Sequence, residues 1–196
     1  MTGIVLAGGE NRRMGTDKAF LSVEGRPLIQ HVLAALTGIF PRVIIVTNSP
    51  EAYGNYVQTI VTDVIEKRGP LTGIHAGLLA SVDEYNFIVA CDMPFLNPGL
   101  ITFMTEAAEG YDVVVPEIGG QYEPLHALYH RRLIPLIEGL IARDSRAIQE
   151  LFSAARVRNI RGDEIDRFDP HRRSFINLNT PQEYKEALCS DSVYRN

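Results

Sequence analysis

Residues 3–9 read GIVLAGG: a short apolar run, Gly3 to Ala7, halted by the pair Gly8-Gly9. Runs of the same kind recur downstream. Residues 42–47 (RVIIVT) stop at Asn48-Ser49-Pro50, residues 58–62 (QTIVT) end at Asp63, and residues 86–91 (NFIVAC) end at Asp92. Each is apolar almost throughout rather than alternating, which is the pattern of strands covered on both faces. Between them lie helical stretches. Pro27 suits the first turn of a helix over 27–37, where Leu28, Ile29, Val32, Leu33 and Leu36 share one face and Gly38 marks the stop. A second helix is expected over 73–82 (GIHAGLLASV), and a third from Asn97-Pro98 through Leu100, Ile101, Phe103, Met104 and Ala107. Apolar strands alternating with helices predict an α/β fold: a mostly parallel sheet, doubly wound, with helices on both sides in three layers.

The pattern loosens after residue 110. Residues 112–116 (DVVVP) read as a strand, Gly119-Gly120 as a turn, and 121–130 as an antiparallel return. Helices are expected over 133–142 and 145–155, and a short strand over 157–160. Residues 161–174 are charged and irregular and read as an exposed loop. The last helix announces itself with Thr180 as N-cap, Pro181 at the first helical position and Glu183 at the third, a capping box. No internal repeat or linker interrupts the chain, so one domain over 1–196 is expected.

The composition narrows the function. With 196 residues, 45% hydrophobic and 22% charged, the chain is ordinary globular material. Nineteen Lys+Arg against 24 Asp+Glu leave a net charge of -5, which argues against nucleic-acid binding. No apolar run approaches the roughly 20 residues of a membrane helix. The two cysteines, Cys91 and Cys189, are too few for a disulfide scaffold. The start MTGIVLAGG enters a strand directly and lacks the charged opening and long apolar centre of a signal peptide. A cytoplasmic protein is expected.

The segment LAGGENRRMGTDK, residues 6–18, carries most of the chemistry. It follows the first strand, where open α/β sheets put their ligand crevice. Glycines let backbone N–H groups approach phosphate oxygens, and Arg12, Arg13 and Lys18 add positive charge to an acidic chain. A P-loop is excluded because no lysine follows Gly15 directly, and Gly8-Gly9-Glu10-Asn11 does not supply the GxGxxG of dinucleotide folds. The plainer alternative is a glycine turn with solvated arginines. Asp92, at the end of an apolar strand, is placed to bind Mg²⁺ together with phosphate oxygens, or else caps a loop. Lys18 would reach the outer phosphates as a point charge, or else is a surface lysine.

LAGGENRRMGTDK resembles the LxGGxSxRMGxDK signature of the molybdenum cofactor guanylyltransferases, within a wider nucleotidyltransferase superfamily. Further segments match in order. Asp63 before Gly69-Pro70-Leu71-Thr72-Gly73 is similar to the family's D…GPLxG, and Cys91-Asp92-Met93-Pro94 to its CDxP. Pro124-Leu125-His126-Ala127-Leu128-Tyr129 is similar to its PxHALY/W, and Phe175-Ile176-Asn177-Leu178-Asn179-Thr180-Pro181 to its FxNxNTP. The matches run from residue 4 to about 188. Asn11 departs from the small residue the family often carries, while the glycines and Lys18 remain.

The resemblance implies a three-layer α/β/α, Rossmann-like nucleotidyltransferase fold with a small antiparallel part in the second half. It also implies an Mg²⁺-dependent transfer of GMP from GTP to the terminal phosphate of molybdopterin, with release of pyrophosphate. GTP and molybdopterin would be the substrates, and molybdenum-insertion proteins and acceptor molybdoenzymes candidate partners. Residues 1–110 would form the nucleotide-binding half and 111–190 the molybdopterin side. The implied catalytic residues are Lys18, Asp92 and Arg12, with Asp92 on the metal. The implied GTP contacts are Leu6, Ala7, Gly8, Gly9, Lys18, Asn48, Asp63 and Asp92. Asn177 and Asn179 fall on the molybdopterin side.

Gly9, with Gly73, points to a purine, since related cytidylyltransferases resemble LAAG at that place and a missing methyl leaves room for the larger base. Asn48 and Asp63 would equally suit turns, and Asn177 and Asn179 would equally suit backbone capping. His126 is expected in the core or cleft wall, His75 on a helix in a structural role, and Cys91 buried as a small apolar residue. The alternatives are a cytidylyltransferase, a sugar-phosphate or terpenoid-precursor nucleotidyltransferase, or a GTP-binding adaptor without turnover.

Overall fold

Strand β1 (Thr2–Leu6) is buried at every position and lies at the centre of the sheet, as its unbroken apolar run predicts. The computed structural model describes residues 1–8, 18–23, 25–62, 69–145, 147–180 and 182–183. Beyond β1 it contains β2 (Ser22–Val23), β3 (Arg26–Pro27), α1 (Leu28–Thr37), β4 (Arg42–Val46), β5 (Thr59–Val61), α2 (Pro70–Ala80), β6 (Tyr85–Ala90) and α3 (Pro98–Glu106). The second half contributes β7 (Val113–Ile118), β8 (Gln121–Tyr122), β9 (His126–His130), α4 (Ile134–Ala142), α5 (Ile148–Ala154), β10 (Val157–Ile160) and α6 (Gly162–Ile165).

The main sheet runs β10-β7-β9-β6-β1-β4-β5, with β8 folded back on β7. Strand β1 pairs in parallel with β4 and β6, so that Leu6 stands level with Val46 on one side and Ala90 on the other. Strand β9 is antiparallel to both β6 and β7, so β7 and its parallel partner β10 point the same way as β1. The alternation of side chains along each strand divides the core in two. Val5, Ile45, Phe87 and Val89 pack under Ile29, Val32 and Leu36 of α1 and Leu100, Ile101 and Met104 of α3. Ile4, Leu6, Ile44, Val46 and Ile88 pack under Ile74 and Leu78 of α2, Ile137 and Leu140 of α4, and Leu151 and Phe152 of α5. This is the expected three-layer α/β/α arrangement. Among the described residues no helix is long and apolar enough to cross a membrane.

Two features set the sheet's geometry. Helix α2 presses on β1 at Gly77, where a Cβ would fall 2.7 Å from Ile4 Cγ2. At the leading ends of the strands, Asp83 accepts hydrogen bonds from Thr2 Oγ1 (2.6 Å) and from Arg42 Nη2 (2.6 and 2.7 Å), and the Met1 ammonium lies 3.5 Å away. The Arg42 hydrogen bonds above all, with that from Thr2, hold the Asp83 carboxyl at about 2, below the usual carboxylate range.

Three readings of the sequence need amendment. Residues 161–174 are not simply an exposed loop: they form α6 and a 3₁₀ turn, and Ile165, Asp169 and Ser174 are buried. The charges conceal this because Asp169 spends its carboxylate internally, accepting from the backbone N–H of Arg173 (3.0 Å) and Ser174 (2.8 Å). Helix α2 starts at Pro70, three residues ahead of the expected start, because proline fits a first turn. The β2–β3 hairpin is two residues per strand, too short to register as a period. Asn97 does cap α3, accepting from Leu100 N at 3.0 Å.

Candidate functional site

The trailing ends of the parallel strands form one continuous edge. Beyond β1, Ala7 N donates to Val46 O at 2.8 Å, and Thr47 N beyond β4 donates to Val61 O at 3.0 Å. Cys91 N beyond β6 donates to Leu6 O at 3.1 Å. The start of the glycine-rich segment and the strand carrying Asp92 are therefore laced together by backbone hydrogen bonds. Gly8 is exposed on this edge beside Asn48, whose Nδ2 would lie 3.6 Å from a Cβ at Gly8. Leu6 and Ala7 are buried beneath, and Gly73 faces the Leu6 side chain at 3.4 Å from α2.

Asp92 sits mid-edge and is half-buried. Its Oδ1 is buried and makes no hydrogen bond. Burial pushes the Asp92 carboxyl up from its ordinary value, and the nearby Lys18 ammonium pulls it down. Lys18 Nζ donates to Asn179 Oδ1. Leu178 N donates to Asp92 O at 2.9 Å. Leu178 itself is buried with Val23 and Leu28, and Leu21, Phe95 and Ile176 pack around them. Three segments distant in sequence thus meet: the end of the glycine-rich stretch at Lys18, the end of β6 at Asp92, and residues 178–179. Asn177 is exposed two residues before Asn179. Gly9, Arg12, Arg13 and Asp63 lie outside the described residues, as does Cys189.

The wall beneath is aromatic. His126, fully buried at the start of β9, meets Phe87 edge-on (ring centroids 5.0 Å) and Phe175 at 4.9 Å. Neither ring nitrogen has a hydrogen-bond partner, and burial drives the imidazole down to about 3, with Asp169 weakly opposing. His126 is thus a neutral wall residue, His75 a buried member of α2 whose Nε2 lies 3.2 Å from Glu138, and Cys91 a buried small residue, as expected. The Arg173 guanidinium lies 4.4 Å from the centre of the Phe95 ring, which packs against Leu178 and its neighbours. Neither Arg173 nor Phe95 carried a signal in the sequence, because their meeting depends on how residues 161–174 fold.

Among the described residues the edge offers backbone N–H groups, the Lys18 ammonium, the Asp92 carboxylate with an oxygen to spare, and neutral amides. Among the described residues no three His, Cys, Asp or Glu side chains cluster to hold a metal by themselves. A single carboxylate fits a hard divalent ion whose remaining ligands come from phosphate oxygens and water, which is how Mg²⁺ is commonly bound.

Residues 3–159 match the MobA-like NTP transferase domain. A protein of Desulfosudis oleivorans named molybdenum cofactor guanylyltransferase is 40% identical over 189 residues, covering 95% of this chain and 94% of that one. A crystal structure of molybdopterin-guanine dinucleotide biosynthesis protein A from Archaeoglobus fulgidus superposes with a TM-score of 0.84 at 28% identity, covering 97% of this chain and all of that one. On its fold, its motifs and its relatives, the chain belongs to the MobA-like NTP transferases, among the molybdenum cofactor guanylyltransferases.

Proposed function

We propose that the protein transfers GMP from GTP to the phosphate of molybdopterin, forming molybdopterin guanine dinucleotide and releasing pyrophosphate. The observation that carries this reading is the meeting of Lys18, Asp92 and Asn179 over the strand ends. The attacking group is a phosphate monoester, already anionic near neutral pH, so no protein nucleophile and no strong base are required. What remains is to bring two polyanions together and to neutralise the charge that develops on the leaving pyrophosphate.

Each residue then has a task. The backbone at Leu6, Ala7, Gly8 and Gly9 admits the nucleotide closely, with Asn48, which lies beside Gly8, and Asp63 serving ribose or base. Gly9 leaves space for guanine. Lys18, with Arg12, carries positive charge to the phosphates. Asp92, whose Oδ1 has no hydrogen-bond partner, would hold Mg²⁺, and the ion would supply charge neutralisation at the phosphate oxygens. Asn177 and Asn179 face the acceptor, so that residues 1–110 serve the nucleotide and 111–190 the molybdopterin. A cytoplasmic setting suits this role, with molybdenum-insertion proteins and acceptor molybdoenzymes as onward partners.

The test is direct. Purified protein with Mg²⁺, molybdopterin and GTP, CTP or ATP in competition should release pyrophosphate and form the guanine dinucleotide from GTP. Dinucleotide formation from CTP instead would assign a cytidylyltransferase. GTP binding without pyrophosphate release would assign an adaptor.

A further inference from the structure

We propose that Glu183, the acidic member of the capping box read at Thr180, is a positioning residue for Lys18, acting through Asn179; the proposal rests on the reading of Lys18 as the phosphate-facing cation. The cap is unusual in where its carboxylate goes. In a capping box the N3 carboxylate returns to the backbone N–H of the N-cap residue. Here Glu183 N donates to Thr180 Oγ1 at 3.2 Å, as that motif requires, but Glu183 Oε2 accepts from Asn179 N at 2.6 Å, one residue further out. Glu183 therefore grips Asn179 as well as Thr180.

Asn179 is held from the other side as well. Leu178 N is tied to Asp92 O at 2.9 Å, and the Leu178 side chain is buried between Val23 and Leu28. With both flanks anchored, the exposed Asn179 side chain presents its oxygen to Lys18 Nζ. A lysine stem otherwise loses rotamer entropy when fixed, so an acceptor that fixes it in advance lowers what the transition state must supply. The acceptor's neutrality matters. An amide oxygen occupies one of the three ammonium donors and leaves the positive charge and two donors for phosphate. A carboxylate there would cancel the charge the reaction needs.

The test compares E183A, E183Q, N179A, the double variant E183A/N179A and T180A, by steady-state kinetics and by titration with Mg·GTP. E183A should lower kcat about tenfold with the KM for GTP within about twofold. E183Q, which keeps an oxygen acceptor, should recover most of that loss. The double variant should be no slower than N179A alone, because both act through one lysine. T180A, which weakens the same helix cap without touching the Glu183–Asn179 bond, should keep kcat near normal. Equal losses in T180A and E183A, or multiplicative losses in the double variant, would overturn the proposal and leave Glu183 a structural cap. Failure of the underlying reading looks different: Lys18→Ala would then turn over as fast as the unaltered protein, or the unaltered protein would not transfer GMP at all.

Discussion

The backbone N–H of Leu178 donates to the backbone carbonyl of Asp92 at 2.9 Å. This bond ties residues 178–179 to the segment that follows β6 without using the Asp92 side chain, whose Oδ1 stays buried and unpartnered. Structure and chemistry at residue 92 are therefore separable. Asp92→Asn should lower turnover by orders of magnitude while leaving the fold intact. The melting temperature should be unchanged or raised, since the substitution removes a desolvated charge. Thermal unfolding paired with pyrophosphate release checks both halves, and near-normal turnover at limiting Mg²⁺ would refute the metal role.

Lys18→Ala should depress kcat more than it weakens GTP binding, because the lysine's charge counts most as pyrophosphate departs. Equilibrium titration with GTP beside single-turnover rates separates the two. Equal losses in affinity and rate would assign Lys18 to ground-state binding alone.

His126 predicts an acid-sensitive fold. Burial lowers its folded pKa to about 3, whereas the unfolded imidazole titrates near 6.5. Below about pH 6.5 the unfolded chain takes up a proton that the folded chain refuses. Its contribution is thus full above that pH and falls as pH drops toward 3, by up to about 1.4 kcal/mol per pH unit. Urea unfolding at pH 7, 6 and 5 should show this slope, and His126→Phe, which keeps a ring against Phe87 and Phe175, should flatten it. An unchanged slope in the variant would exclude His126 as the source.

Two glycines should respond oppositely to alanine. At Gly77 the new methyl would meet Ile4 Cγ2 at 2.7 Å and Cδ1 at 3.1 Å, so Gly77→Ala should cost about 1–3 kcal/mol through overpacking. At Gly139, within α4, a Cβ meets nothing within 4 Å, and Gly139→Ala should stabilise by about 0.4–1 kcal/mol. Urea midpoints for the two variants decide it.

Much of the fold was legible because the parallel strands are apolar on both faces. Gly3–Ala7, 42–47 and 86–91 each mapped onto a strand, and the face of α1 carrying Ile29, Val32 and Leu36 is the face that packs. Legibility failed where burial is polar. Residues 161–174 look solvated, yet Asp169 is buried because two backbone N–H groups satisfy it, a pairing that leaves no periodic trace. Lys18, Asp92 and Asn179 could each be named from their motifs. Their contact could not, because it depends on Leu178 settling between Val23 and Leu28. Glu183 was visible as a cap, but the one-residue reach to Asn179 exists only in three dimensions.

The node at Asp83 works as a levelling mark. It grips Thr2 at the head of β1 and Arg42 at the head of β4, and it stands two residues before β6. Strands advance about 3.3 Å per residue, so aligning their heads also decides how high each tail reaches on the far side. Gly8, Asn48 and Asp92 share one contour because their strands set out from a common baseline. A residue inserted into any of the three would lift one of them out of line by a whole step and turn its side chains to the opposite face.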